Sequence, residues 1–245
     1  MNRTNYEVVA AVYDQNPTRL SQPADDVIPE LLAAGEIAVL DVGCGTGNWL
    51  AAQTAAFEGQ PVLFHGVDPS PAMLEHARAK TPSADVQLGR AEALPYPDAA
   101  FDYVYSSFAF HHFEDKARSL DELLRVLTPN GVLRIVNVDP FKTPLWWPYA
   151  FFPETKELDL ARFWSSEQLC SALEAKGLEV TLHLVHDRAP RAIGDLLVEA
   201  ERRDCSQIAI LDDATYQRRL AELRAMDPAK RVLNESAVYT LTARR

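Results

Sequence analysis

Apolar and polar positions along the chain fall into two interleaved patterns. Short, nearly continuous apolar runs recur at 36–42, 62–68, 85–89, 101–106 and 131–138. Runs of this length, rich in branched and aromatic residues, predict strands buried on both faces. Between them, 48–57, 71–80 and 115–127 read as helices, the last ended by Pro129-Asn130-Gly131. Strands alternating with helices predict an α/β fold with a parallel sheet and right-handed crossovers. Further on, a helix over 165–176 opens at Ser165 or Ser166, carries Glu167 or Gln168 in its first turn, and ends at Gly177. Leu178 to Val185 reads as a sixth strand, 190–201 and 213–226 as amphipathic helices, and Ala237 to Thr242 as a closing strand.

No repeat, low-complexity tract or clear linker divides the 245 residues, so one domain over 1–245 is expected. Its parts are a helical cover at 1–35, a ligand-binding core at 36–138, and pocket or cap elements at 139–164 and 186–235. Tyr6 and Tyr13 are seven residues apart and share a helix face. The segment 139–164 holds Phe141, the adjacent Trp146 and Trp147, and four prolines from Pro140 to Pro153. The prolines predict irregular backbone, and aromatics of this size are costly to expose. The segment follows the fifth strand, so Phe141, Trp146 and Trp147, with Tyr6 opposite, are candidates for the wall of an apolar pocket. The same composition also suits a loop pinned onto the core, or a dimer surface.

Ligands of a parallel α/β sheet sit at the carboxyl ends of the strands, and the chemistry of this chain collects there. Residues 39–47 read Val-Leu-Asp-Val-Gly-Cys-Gly-Thr-Gly. A strand that opens through Gly43, Gly45 and Gly47 into a helix lets a ligand approach bare backbone. A dinucleotide fingerprint would need a further glycine at Asn48 and lacks it. The second strand ends in Asp68, about twenty residues on, where a carboxylate can accept both hydroxyls of a ribose. Pro69-Ser70-Pro71-Ala72-Met73-Leu74 then opens a helix with proline in its first turn. A third block, Gly89-Arg90-Ala91-Glu92-Ala93-Leu94-Pro95-Tyr96-Pro97, precedes the fourth strand, which ends near Ser106.

The D-x-G-x-G-x-G loop, the G-V-D-x-S-x-x-M-L segment and the third block, in this order over 36–138, resemble class I S-adenosylmethionine-dependent methyltransferases. The likeness extends to the small-molecule branch that includes ubiquinone and menaquinone biosynthesis enzymes. It implies a Rossmann-like, seven-stranded, mostly parallel sheet with helices on both faces and an antiparallel last strand. The fifty or so residues between the last two strands then form a helical insertion. It also implies S-adenosylmethionine as cofactor and S-adenosylhomocysteine as product. By resemblance, Asp41, Gly43, Cys44, Gly45 and Gly47 hold the amino-acid end, with Asp41 near the ammonium. Asp68 binds the ribose, Pro69 and Met73 flank the adenine, and Ala91 and Glu92 meet its edge. Ser106 lies at the strand end, and Tyr13 folds over the cofactor as part of a Tyr13-Asp14 pair. Arg90 departs from the pattern, standing where an aspartate is common, so its guanidinium is a further candidate for the adenine.

Methyl transfer from a sulfonium needs alignment and exclusion of water, and no covalent attack by the protein. A base is required only for some acceptors. His111 and His112 follow the fourth strand and are the base candidates, with Asp139 as a second position that also suits a capping role. The net charge of −11 and the absence of a Lys/Arg-rich run disfavour a nucleic-acid partner and leave a small-molecule methyl acceptor. Cys44, Cys170 and Cys205 are few and odd in number, which suits a reducing, cytoplasmic setting. No residue set has metal-site spacing, and no run is long enough to span a bilayer. A monomer or homodimer is expected. Two other readings stand beside methyl transfer: a non-catalytic cofactor-binding regulator, and a nicotinamide-dependent oxidoreductase.

Overall fold

The computed structural model describes residues 6–16, 19, 20 and 22–245; the first five residues of the expected N-terminal cover lie outside them. A single seven-stranded sheet runs through the molecule in the order β3-β2-β1-β4-β5-β7-β6. Its strands are β1 (Ile37–Val42), β2 (Val62–Asp68), β3 (Asp85–Leu88), β4 (Phe101–Ser107), β5 (Leu127–Val138), β6 (Glu179–Ala192) and β7 (Arg231–Arg244). The first five pair in parallel, and β7 enters antiparallel between β5 and β6.

The alternation along each strand sorts side chains into two cores. Leu40, Val104 and Leu133 face α5 (Lys116–Val126) and α8 (Ser166–Glu174). Their neighbours Val39, Tyr103 and Val132 face α2 (Val27–Leu32), α3 (Asn48–Ala56) and α4 (Pro71–Lys80). Burial on both faces is what a parallel sheet requires, and it is why these strands read as continuous apolar runs. α1 (Tyr6–Tyr13) packs Val9 and Ala10 on Met73 of α4.

A third core lies away from the sheet. Trp147 and Phe152 pack with Ile193, Leu196, Tyr216 and Leu220. They come from α6 (Trp147–Phe151), the insertion helices α9 (Ile193–Arg202) and α11 (Asp213–Arg224), and adjoining turns. α7 (Glu154–Arg162) and α10 (Ser206–Ala209) complete this cap.

Two expectations are corrected here. The stretch 139–164 is largely helical, because Pro148 falls in the first turn of α6 and Pro153 just before α7, where no intrahelical N–H is lost. The last two strands are also much longer than the apolar runs that announced them, and pair without interruption from Glu179↔Arg244 to Ala192↔Arg231. Residues 181–188 of β6 are exposed on both faces, so burial imposes no alternation there.

Candidate active site

The strand ends of β1, β2 and β4 open into two adjoining cavities of about 530 and 440 Å³ that share Tyr6, Tyr13, Gly45 and His112. The glycine loop after β1 forms their common floor. Gly43, Gly45 and Gly47 all have left-handed φ values, +77°, +53° and +77°. The reasons differ. A Cβ on Gly43 would lie 2.4 Å from Cβ of Ala109, and one on Gly47 would lie 3.0 Å from Ala77 in α4. These two glycines serve packing, and Gly47 lies off the cavity wall. A Cβ on Gly45 would meet nothing within 4 Å and would point into open space.

Asp68 lines the first cavity. Its Oδ2 accepts from the Gly45 amide at 2.9 Å and its Oδ1 from the Ser70 amide at 2.9 Å. The strand end and the glycine loop are thereby locked together, and each oxygen keeps a lone pair for a ligand. Burial pushes its carboxyl above the usual range. Asp41 lines the second cavity. It is 3% exposed, and its carboxylate makes no side-chain hydrogen bond or ion pair among the described residues. Burial, then the charge of Asp68, push its pKa well up. A buried acid without a partner is an uncompensated cost that a cationic ligand group would relieve. Cys44 lines the same cavity while its sulfur fills the space beside Gly66, and burial raises its thiol.

Pro69, Met73, Ala91 and Glu92 all line the first cavity. The Glu92 carboxylate is turned away to the Glu114 and Asp115 amides, and Arg90 pairs with Glu114 and Glu92. Ser106 is corrected. It is fully buried and donates to the Val42 carbonyl at 2.8 Å, tying β4 to β1, and the next residue, Ser107, lines both cavities.

Tyr13 lines both cavities beneath the Arg19 guanidinium, 4.0 Å from its ring centroid. Asp14 accepts from Thr46 at 2.8 Å, Asn48 at 3.0 Å and Lys80 at 2.5 Å, pinning the N-terminal segment to the glycine loop. Of the other wall candidates, Tyr6 and Trp146 line the second cavity. Trp147 and Phe141 line neither. Trp147 is committed to the cap core, and Phe141 is 47% exposed.

The histidine pair sits in a 3-10 turn at Phe110–His112. The His111 ring stacks on Phe163, with Nδ1 3.1 Å from Oδ1 of Asn137 and Nε2 3.4 Å from Oγ of Ser206. His112 Nε2 lies 2.6 Å from the Tyr6 hydroxyl. Burial, with the positive charges of Arg162 and Lys116, pulls His112 down to about 3. His111 is lowered too, by burial and by its neighbour His112. Both rings are neutral near pH 7. Asp139 is structural: it accepts from the Phe141 amide at 3.1 Å and from the Ser166 amide and hydroxyl at 3.1 and 2.6 Å. Sequence reasoning missed Lys116, Arg162 and Ile210, which line the first cavity from α5, α7 and the insertion.

Residues 40–135 match the family described as a methyltransferase domain. That stretch, from the end of β1 to β5, is similar to a methyltransferase domain. The demethylmenaquinone methyltransferase of Chlorobaculum parvum is 42% identical over 99 residues, 40% of each chain. The trans-aconitate 2-methyltransferase of Methylobacterium radiotolerans is 33% identical over 134 residues, 55% of this chain and 50% of the other. The match thus spans half or less of these relatives' own length. Among solved structures, a SAM-dependent methyltransferase of Aquifex aeolicus superposes with a TM-score of 0.56 at 18% identity, covering 97% of this chain and 98% of its own. The cyclase SpnF superposes with a TM-score of 0.61 at 21% identity, covering 98% and 93%. The chain thus shares its fold with a methyltransferase and with a cyclase. No helix among the described residues is long and apolar enough to cross a membrane.

Proposed function

We propose that the chain transfers a methyl group from S-adenosylmethionine to a small acceptor with an apolar or aromatic body. The observation that carries the proposal is the juxtaposition around Gly45: a glycine open to the cavity, flanked by Asp68 and by a buried Asp41 that has no partner among the described residues. The residues fit this cofactor. Asp41 would face its ammonium, Asp68 its ribose hydroxyls, and Pro69, Met73 and Ala91 its adenine. When bound, the cofactor supplies an electrophilic methyl group on sulfur.

The protein's share is positioning. The Asp68–Gly45 hydrogen bond fixes the floor, and α1 covers it through Asp14 and through Tyr6–His112. The segment before residue 36, the stretch 139–164 and the insertion within 186–235 would exclude water from the reacting atoms. The acceptor would lie against Tyr6, His112 and Trp146. Calorimetry with S-adenosylhomocysteine tests the reading: one molecule should bind per chain, and NADH should produce no heat. Binding of NADH without S-adenosylhomocysteine would overturn it. Transfer of labelled methyl to an acceptor panel then separates an enzyme from a silent binder.

A further inference from the structure

The larger cavity holds a positive charge with no ion-pair partner among the described residues. Lys116, the first residue of α5, lines this cavity and is half-buried. Its ammonium donates to the Phe113 carbonyl at 3.1 Å and forms no ion pair among the described residues. Arg162 lines the same cavity, but its charge is matched by Asp159 at 2.7 Å, with Ser206 adding a hydrogen bond at 3.0 Å. The acids lining the cavity have partners elsewhere: Glu92 is spent on two backbone amides and on Arg90, Glu114 pairs with Arg90, Glu7 accepts from Ser70, and Asp68 accepts from the Gly45 and Ser70 amides. Burial and then the neighbouring Arg162 disfavour the charged lysine, and Glu92, the opposing charge, only partly offsets them. Lys116 is also remote in role from the amino-acid end of the proposed cofactor, because it lines the first cavity alone and Asp41 the second alone.

A second, independent observation concerns proton removal. A phenol or alcohol must lose a proton to accept a methyl group. His111 has both ring nitrogens within reach of partners, and His112 faces the Tyr6 hydroxyl and takes a proton only near pH 3. Both rings are engaged by neighbours and held below the ordinary imidazole range, which weakens them as bases near neutrality. Asp139 is buried under three hydrogen bonds. The chamber therefore suits an acceptor that arrives already ionised.

We propose that the methyl acceptor is a carboxylate, held by Lys116 in the chamber bounded by His112 and Arg162, and that the product is its methyl ester. The inference rests on the methyl-transfer reading above. A carboxylate oxygen forms the new bond to the methyl carbon, the carbon–sulfur bond breaks with its electron pair remaining on sulfur, and no proton is released. The positive sulfonium and the negative carboxylate both become neutral, so the ester no longer matches Lys116 and can leave.

Calorimetry on protein saturated with S-adenosylhomocysteine tests this with matched probes: cinnamate against cinnamamide, and octanoate against octanamide. At least one acid should bind about tenfold or more tighter than its amide, the ratio expected of one charge-assisted hydrogen bond. Lys116→Met should bring that ratio to within about twofold while S-adenosylhomocysteine affinity stays the same, and Lys116→Arg should keep the preference. Equal binding of acid and amide, no binding by either acid, or an undiminished preference in Lys116→Met would each overturn the proposal. Failure of S-adenosylhomocysteine to bind at all would instead defeat the methyl-transfer reading on which it stands.

Discussion

A few side chains at three strand ends carry the cofactor proposal, and each makes a separable prediction. Asp68→Ala removes two charge-assisted hydrogen bonds to a ribose and should weaken S-adenosylhomocysteine binding by about 2–3 kcal/mol; an unchanged Kd in a folded variant would end the ribose assignment. Gly45→Val fills the one glycine of the loop that faces open space, at a φ of +53°, and should abolish binding. His112 predicts a pH dependence. In the fold it stays neutral down to about pH 3, whereas the unfolded chain takes up this proton near pH 6.5. Between those values the unfolded state holds more protons, so stability is lost as the pH falls through the window. The Tm of the wild type should therefore drop relative to His112→Gln between about pH 7 and about pH 4, and a constant offset would show that His112 does not titrate this way. Asp41, Gly45 and Asp68 were legible in the sequence because each sits in a short local pattern at a strand end. Lys116, Arg162 and Ile210 were not, because three distant segments meet only in the folded chain. Ser106 was misread by one position: on a strand that is the difference between facing the core and facing the cavity.

Elements were legible where burial imposes a period. β1 to β4 were read to within a residue, since strands covered on both faces must be apolar throughout. The outer β6–β7 ribbon escaped because β6 is exposed over 181–188 and β7 buries the polar Asn234 and Glu235, so neither shows an apolar period, and the cap helices in 139–164 escaped because proline reads as a breaker when its position in the turn is unknown. The adjacent tryptophans show the consequence. Both were candidates for the acceptor wall, yet α6 turns them apart: Trp146 lines the second cavity, while Trp147 is buried in the cap core and donates its amide to Asn234. Trp146→Ala should raise the acceptor KM and leave cofactor affinity within about twofold, the mark of a contact made only with acceptor. Trp147→Ala should cost roughly 3–5 kcal/mol of stability in denaturant unfolding, as truncation of a buried aromatic does. If the two variants behave alike, the cap does not divide wall from core in this way.

Across the whole molecule, the site is closed by a segment that owes its place to the site's own residues. Among the described residues, α1 buries Val9 and Ala10 on Met73 of α4, with Tyr6 and Tyr13 partly buried beside them. What fixes it are polar links to the cofactor face: Glu7 to Ser70 at 2.7 Å, Asp14 to Thr46, Asn48 and Lys80, and Tyr6 to His112. A short helix with so small an apolar footing opens at low cost, whereas the sheet opens only with global unfolding. A ligand on the floor beneath it adds contacts with Tyr6 and Tyr13 that the open form lacks, so binding must favour closure. S-adenosylhomocysteine at about 100 times its Kd should stabilise the fold by about 2.7 kcal/mol, raising Tm by roughly 5–10 °C for a chain of this size. Amide hydrogen exchange in 6–16 should slow on binding by more than in the β6–β7 ribbon, which touches neither cavity along its exposed half. A rise in Tm with unchanged exchange in 6–16 would mean that α1 is packing beside the site rather than its roof, and that water is excluded by the cap alone.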